Sequence, residues 1–127
     1  MADFSDTLSI TASGMKAQAA RLRHTAENIA NADTTGYRRK LVSFEETFAR
    51  DGHVEVSPVK FDQTALQRRY DPANPLADEK GTVEGSNVNL LIEVADAREA
   101  QRSYEANVQI FSQIRQMSSA LLDLLRR

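Results

Sequence analysis

The sequence predicts a mainly α fold. Two long terminal helices, packed as an antiparallel coiled-coil-like pair, flank a small irregular insert with short β-strands. Three observations carry this. Both ends lack proline and repeat apolar residues at spacings of three and four, while the middle holds all three prolines and three of the five glycines. Hydrophobic residues make up 41% but aromatics only 6%, so the apolar material is mostly Ala, Leu, Val and Ile and suits helix seams. At 127 residues there is room for one small domain and no second core.

The first helix is expected from about Asp3 to Asn31. Leu8, Met15, Leu22 and Ile29 recur every seven residues, and Ala12, Ala19 and Ala26 fill the offset positions. That is an a/d seam of more than three heptads. Alanine seams permit close approach but bury little area each, so the helix needs partners on more than one side. Gly14 within it marks a bend or a close contact. The run Asn31-Ala32-Asp33-Thr34-Thr35-Gly36 ends the helix, with Asn31 as a cap and Gly36 suited to a left-handed conformation.

The insert runs from about Tyr37 to Ser86. Arg38 to Phe44 reads as a strand entry, although Phe44 and Phe48 also fit one helical turn. Val54, Val56 and Val59 around Pro58 read as a short extended segment, and Asp51-Gly52 as a turn. Pro72 and Pro75 place the stretch from Tyr70 to Asp78 in a loop.

The third part, about Val88 to Leu125, is free of glycine and proline. Its seam comprises Tyr104, Val108, Phe111, Ile114, Met117, Leu121 and Leu124, with Ile110, Leu122 and Leu125 beside it. Asn87 or Asn89 is the expected N-cap. The last turns are apolar on most faces, which marks an assembly surface. The expected division is residues 1–36, 37–86 and 87–127, as one structural unit.

Composition excludes several functions. Sixteen basic and eighteen acidic residues give a net charge of -2, a poor basis for nucleic-acid binding. With no cysteine there are no disulfides, thiolate nucleophiles or cysteine-based metal sites. His24 and His53 have no acidic neighbours at ligand spacing, and Glu45-Glu46 and Asp78-Glu79 are adjacent rather than facing. Asp71, Asn74 and Asp78 fit turn stabilisation better than a cation loop. No catalytic, cofactor or small-molecule site is expected. Arg38-Arg39-Lys40 reads as solvated charge, or as charge paired with acidic residues of a neighbouring subunit. Asn28, Asn31, Gln101 and Asn107 lie at or near the seams, where a buried amide fixes register. The acidic start, Met1 to Asp6, is followed by no apolar segment, so no cleaved signal peptide is expected.

Asn28-Ile29-Ala30-Asn31-Ala32-Asp33-Thr34-Thr35-Gly36-Tyr37-Arg38-Arg39 resembles the N-terminal motif of the bacterial flagellar axial proteins of rod and hook. The stretch Tyr70 to Asp78, then Gly81, Asn87-Val88-Asn89 and Arg102 to Val108, is similar to the C-type proximal rod subunits of the basal body. Ser86 departs from that pattern, which usually has proline there. The resemblance implies a non-enzymatic subunit, exported unfolded through the flagellar type III apparatus without a cleaved signal. It also implies helical stacking with copies of itself and with other rod subunits, in the rod that crosses the periplasm. The implied assembly residues are Leu8, Met15, Leu22, Asn28, Ile29, Asn31, Gly36, Tyr37, Tyr104, Asn107, Val108, Phe111, Ile114, Met117, Leu121 and Leu124. Another rod or hook subunit is the nearest alternative. A cytoplasmic helical adaptor or export chaperone shares the amphipathic helices, but the glycine- and proline-punctuated insert argues against it.

Overall fold

The computed structural model describes residues 2–46 and 52–127. Met1, Phe48 and Asp51 lie outside the described residues, and with them the alternative helical turn at Phe48 and half of the Asp51-Gly52 turn signal. Helix α1 spans Ala2–Ala30 and helix α2 spans Leu90–Leu125. Between them lie strands β1 (Lys40–Leu41), β2 (Phe44–Glu46), β3 (Val54–Val56), β4 (Lys60–Phe61), β5 (Arg68–Tyr70) and β6 (Thr82–Glu84). Phe44 therefore sits in a strand. Asn89 rather than Asn87 caps α2, its side chain accepting from the Leu91 and Ile92 backbone N–H groups.

The strands form three separate antiparallel pairs among the described residues: β1 with β4, β2 with β3, and β5 with β6. The β2–β3 ladder aligns Phe44 with Val56, and the β5–β6 ladder aligns Tyr70 with Thr82. None of the pairs widens into a sheet that can cover a core by itself. They are held by loop bonds instead. Asn74 Oδ1 accepts from Leu76 N–H, and Asp78 Oδ1 accepts from Lys80 and Thr82 N–H. These are the turn roles expected of both residues.

The two helices run antiparallel in close contact. Asn28 meets Glu93, and a side chain on Gly14 would meet Asn107. Fourteen residues back along α1 thus match fourteen forward along α2. Extending that register puts Ala2 opposite Ser119.

The face of α1 that meets α2 is not the heptad seam. Thr11, Thr25 and Asn28 are buried there, with Gly14 and Arg21 on the same side. Ala12, Ala19 and Ala26 are exposed, and Leu8, Met15, Leu22 and Ile29 are only half-buried. Small polar residues let the backbones approach, and Gly14 is a contact rather than a bend. The β2–β3 pair packs on a second side of α1, where Ser13 Oγ accepts from Val54 N–H and Ser9 Oγ bonds His53 Nε2 at 2.9 Å. The leucine and alanine seam is left on a third side.

Buried apolar residues are few: Ala17, Val83, Val88 and Ala100 among those described. The largest fully buried side chains are Glu93 and Asn28, both polar.

Candidate assembly interface

The junction of α1, the start of the insert and α2 is locked by a polar cluster. Asn28 stands in the last turn of α1. Its Oδ1 accepts from Tyr37 Oη at 2.8 Å and from Lys40 N–H at 2.9 Å. Its Nδ2 donates to the Lys40 carbonyl at 3.0 Å and to Glu93 Oε2 at 3.3 Å. Every hydrogen-bonding position of the amide is used. Gly36, at φ +73°, permits the reversal that brings Tyr37 to Lys40 back onto α1, and its N–H reaches the Glu84 and Gly85 carbonyls.

Glu93 is only 1% exposed and is bound by Arg39 Nε. Arg39 Nη2 also reaches Asp96 Oδ2 at 2.9 Å, and Arg21 reaches Asp96 and Glu99 at 3.4 and 3.5 Å. Lys40 Nζ pairs with Glu27 Oε2 at 2.7 Å. That bond lowers the Glu27 carboxyl and raises the Lys40 ammonium from their ordinary values. Burial raises the Tyr37 phenol. The basic run therefore departs from the sequence expectation. Arg39 and Lys40 are neither merely solvated nor reserved for a neighbour; they neutralise carboxylates of their own chain. His24 also has an acidic neighbour, with Nδ1 lying 3.6 Å from Glu27 Oε2.

Two further residues tie the insert to this junction. Asn87 Oδ1 accepts from Arg39 N–H at 2.6 Å, and its Nδ2 donates to the Asp62 carbonyl at 2.9 Å. The Ser86 hydroxyl, 2% exposed, donates to the Ala32 carbonyl and accepts from Val88 N–H at 3.3 Å. Proline at this position has no hydroxyl for either bond, so the departure at Ser86 is used structurally.

The remaining seam residues divide by exposure. Asn31 is half-buried and donates to the Glu27 carbonyl at 2.8 Å, as a cap. Tyr104, Asn107, Phe111, Ile114 and Leu121 are half-buried along α2. Val108, Met117 and Leu124 are 41%, 59% and 65% exposed, with Ile110 and Leu122 near one half. Gln101 is exposed and bonds Glu105. Sequence reasoning missed Glu93, Thr11 and Thr25, and named Arg39 without its partners in the same chain. A signal for Glu93 existed: stepping back from Tyr104 by four, three and four reaches Ala100, Ala97 and Glu93.

Nothing at the junction is arranged for chemistry on a substrate. Its charges are paired and its amide is saturated. Among the described residues no three His, Cys, Asp or Glu side chains gather as metal ligands, and no helix is long and apolar enough to cross a membrane. Among a mostly polar exterior, Val108, Met117 and Leu124 of α2 stay open to solvent.

Comparison with known proteins supplies the family. Residues 8–38 match the flagella basal body rod protein family, and residues 79–124 match the C-terminal family of flagellar basal body rod FlgEFG proteins. A flagellar basal-body rod protein FlgC of Agrobacterium fabrum is 45% identical, with 92% of this chain and 91% of that protein covered. Those of Escherichia coli O6:H1 and Aquifex aeolicus are 39% and 38% identical over similar shares. The chain belongs to the FlgC family of flagellar basal-body rod proteins. It is a structural subunit of the rod. The two matched regions are the paired helices with their flanking turns, and most of the insert lies between them.

Proposed function

We propose that the chain is a proximal rod subunit, non-enzymatic, carried through the flagellar type III export apparatus without a cleaved signal. It stacks with copies of itself and other rod subunits into the shaft that crosses the periplasm. The observation that supports this reading is the part-covered seam. Half-buried Leu8, Met15, Leu22 and Ile29, with exposed Ala12, Ala19 and Ala26, keep a heptad pattern on a side of α1 that the rest of the chain covers only in part. Val108, Met117 and Leu124 are left open on α2 in the same way. An apolar seam of this length in water is a cost that neighbouring helices remove. Asn28, Asn31, Gly36 and Tyr37 act beneath it, holding the helix pair in the shape that presents the seam.

Purified basal bodies test the reading. The protein is expected to sediment with them, with its N-terminus intact apart from removal of Met1. Leu22→Asp places an unpaired charge in the proposed contact, and a strain carrying it is expected to export the subunit but build no flagellum. Full motility of that strain would show the seam to be solvent-facing.

A further inference from the structure

Between α1 and β3 lies a groove of about 810 Å³ that neither element fills. Lys16, Ala20 and Arg23 of α1 line one wall, and residues 53–59 the other. From Ser9 to His24 it follows α1 for about 22 Å. Lys16 and Arg23, two turns apart on one side of the helix, are exposed, and neither forms an ion pair among the described residues. Arg21, Arg39 and Lys40 at the junction are, by contrast, all paired. Glu55 is the acid of the lining, so the groove keeps a positive charge. His24 and His53 lie in it as well, each with a buried Nδ1 that makes no hydrogen bond among the described residues.

The backbone adds a second feature. Ser57 N–H donates to the Ser43 carbonyl, and Phe44 stands opposite Val56. Bonded and non-bonded pairs alternate along an antiparallel ladder. Val56 is therefore in a non-bonded pair, and turns its N–H and carbonyl away from β2. Val54 lies on the same edge, and its N–H is taken by Ser13 Oγ at 3.1 Å, which ties β3 to α1 at that point. Val56, two residues on, has no such partner among the described residues. Pro58 then ends the edge, since it has no N–H.

We propose that this groove binds an extended acidic segment of a partner polypeptide. Val56 exchanges backbone hydrogen bonds with the segment, as with an added strand, and Lys16 and Arg23 take its carboxylates. Each observation narrows the occupant. The unpaired cations select an anion. The open backbone pair selects a polypeptide over a lipid surface or a free anion, which lack a matching N–H and carbonyl. The groove's length fits about six or seven extended residues. The contact runs through the insert, and is distinct from packing between helices. On the rod reading, the segment belongs to a neighbouring subunit.

Two experiments test this. In the first, the heptapeptide Asp-Val-Asp-Val-Asp-Val-Asp is titrated into the isolated chain and amide resonances are followed. Val56 and the residues around Lys16 and Arg23 are expected to shift together. Lys16→Glu with Arg23→Glu should abolish the shifts, and Glu55→Gln should enlarge them at a given peptide concentration. All three positions are exposed, so the fold is expected to survive, and unchanged resonances around Asn28 check that. The proposal is overturned if Val56 does not respond. It is overturned equally if inorganic triphosphate moves the same resonances as fully as the peptide, which would make the groove a simple anion patch. In the second experiment, isolated basal bodies are treated with a carbodiimide, which joins a lysine amine to a touching carboxylate as an amide. A product heavier than the monomer is expected, with Lys16 joined to an Asp or Glu, and Lys16→Arg, which keeps the charge, should remove it. Lys16 linked only within the monomer, or not at all, overturns the contact in the rod. Absence of the protein from basal bodies overturns the rod reading instead, and the peptide titration still decides the groove.

Discussion

Asn28 has a role that its sequence neighbourhood half discloses. An asparagine at the end of a helix, beside an apolar seam, suggests either a cap or a register-fixing amide. The structure makes it the second, with both donors and both acceptors engaged. Asn28→Ala strands the Lys40 N–H and carbonyl and the Tyr37 hydroxyl, and is predicted to lower stability by about 1–3 kcal/mol. Arg39→Met leaves the Glu93 carboxylate at 1% exposure without the guanidinium that neutralises it. Breaking a buried pair from one side costs about 3–5 kcal/mol. Urea unfolding followed by far-UV circular dichroism checks both. An Arg39→Met protein as stable as the parent would mean that Glu93 is hydrated in solution. Arg39 was unreadable in advance because its partners lie 54 and 57 residues away, and a basic run looks alike whether solvated or paired.

The helices were legible because a period of three and four, undisturbed by proline, admits little else. Their mutual face was not. The eye follows leucines, yet α1 turns Thr11, Gly14, Thr25 and Asn28 to its partner, where small polar groups allow close approach. The short strands were only partly foreseen, because two-residue ladders such as Lys40–Leu41 depend on turns more than on propensity. Gly81 is one such turn. Its φ is +73°, and a Cβ there would lie 2.9 Å from Tyr70 Cε2 and 3.0 Å from Pro72 Cβ. Gly81→Ala is predicted to cost about 1–3 kcal/mol and to loosen the β5–β6 pair, visible as shifted Tyr70 and Thr82 amide resonances. The Glu27–Lys40 pair adds a pH signature. Glu27 is held below its ordinary 4.5 by the Lys40 hydrogen bond, and Asp62 below its ordinary 3.8 by the Thr64 backbone N–H. A depressed carboxyl stabilises the fold above its unfolded value, and that contribution is lost as pH falls through the folded one. Lys40, raised from 10.5, loses its share only as alkaline pH passes that range. The thermal midpoint should therefore be flat through neutrality and fall below about pH 4.5. Glu27→Gln should make that acid fall shallower. An equally steep fall in the variant would remove Glu27 from the account.

For the whole molecule, the distribution of buried groups sets which parts hold without neighbours. Asn28, Val83, Ser86, Val88, Glu93 and Ala100 gather at one end of the helix pair, and α2 buries only Glu93 and Ala100 among its described residues. Beyond Ala100 the described residues of α2 are half-buried or exposed, and Thr11 and Ala17 are the buried residues of α1 opposite that stretch. Each ordered residue costs about 1–2 kcal/mol of backbone entropy, while burial returns about 25 cal/mol per Å². A half-covered seam rich in alanine does not offset that. Amide hydrogen exchange on the free subunit should therefore be graded. Protection is expected to be greatest near residues 25–30 and 88–100, to decline through residues 8–20, and to vanish over residues 117–125. In purified basal bodies neighbouring helices supply the missing cover, and both helices should be protected along their length. Such a chain is expected to unfold readily, as the export proposed above would require. Equal and strong protection of residues 8–29 in the free and assembled states would contradict this. It would mean that the helix pair carries its stability alone, and that the exposed seam is not what assembly satisfies.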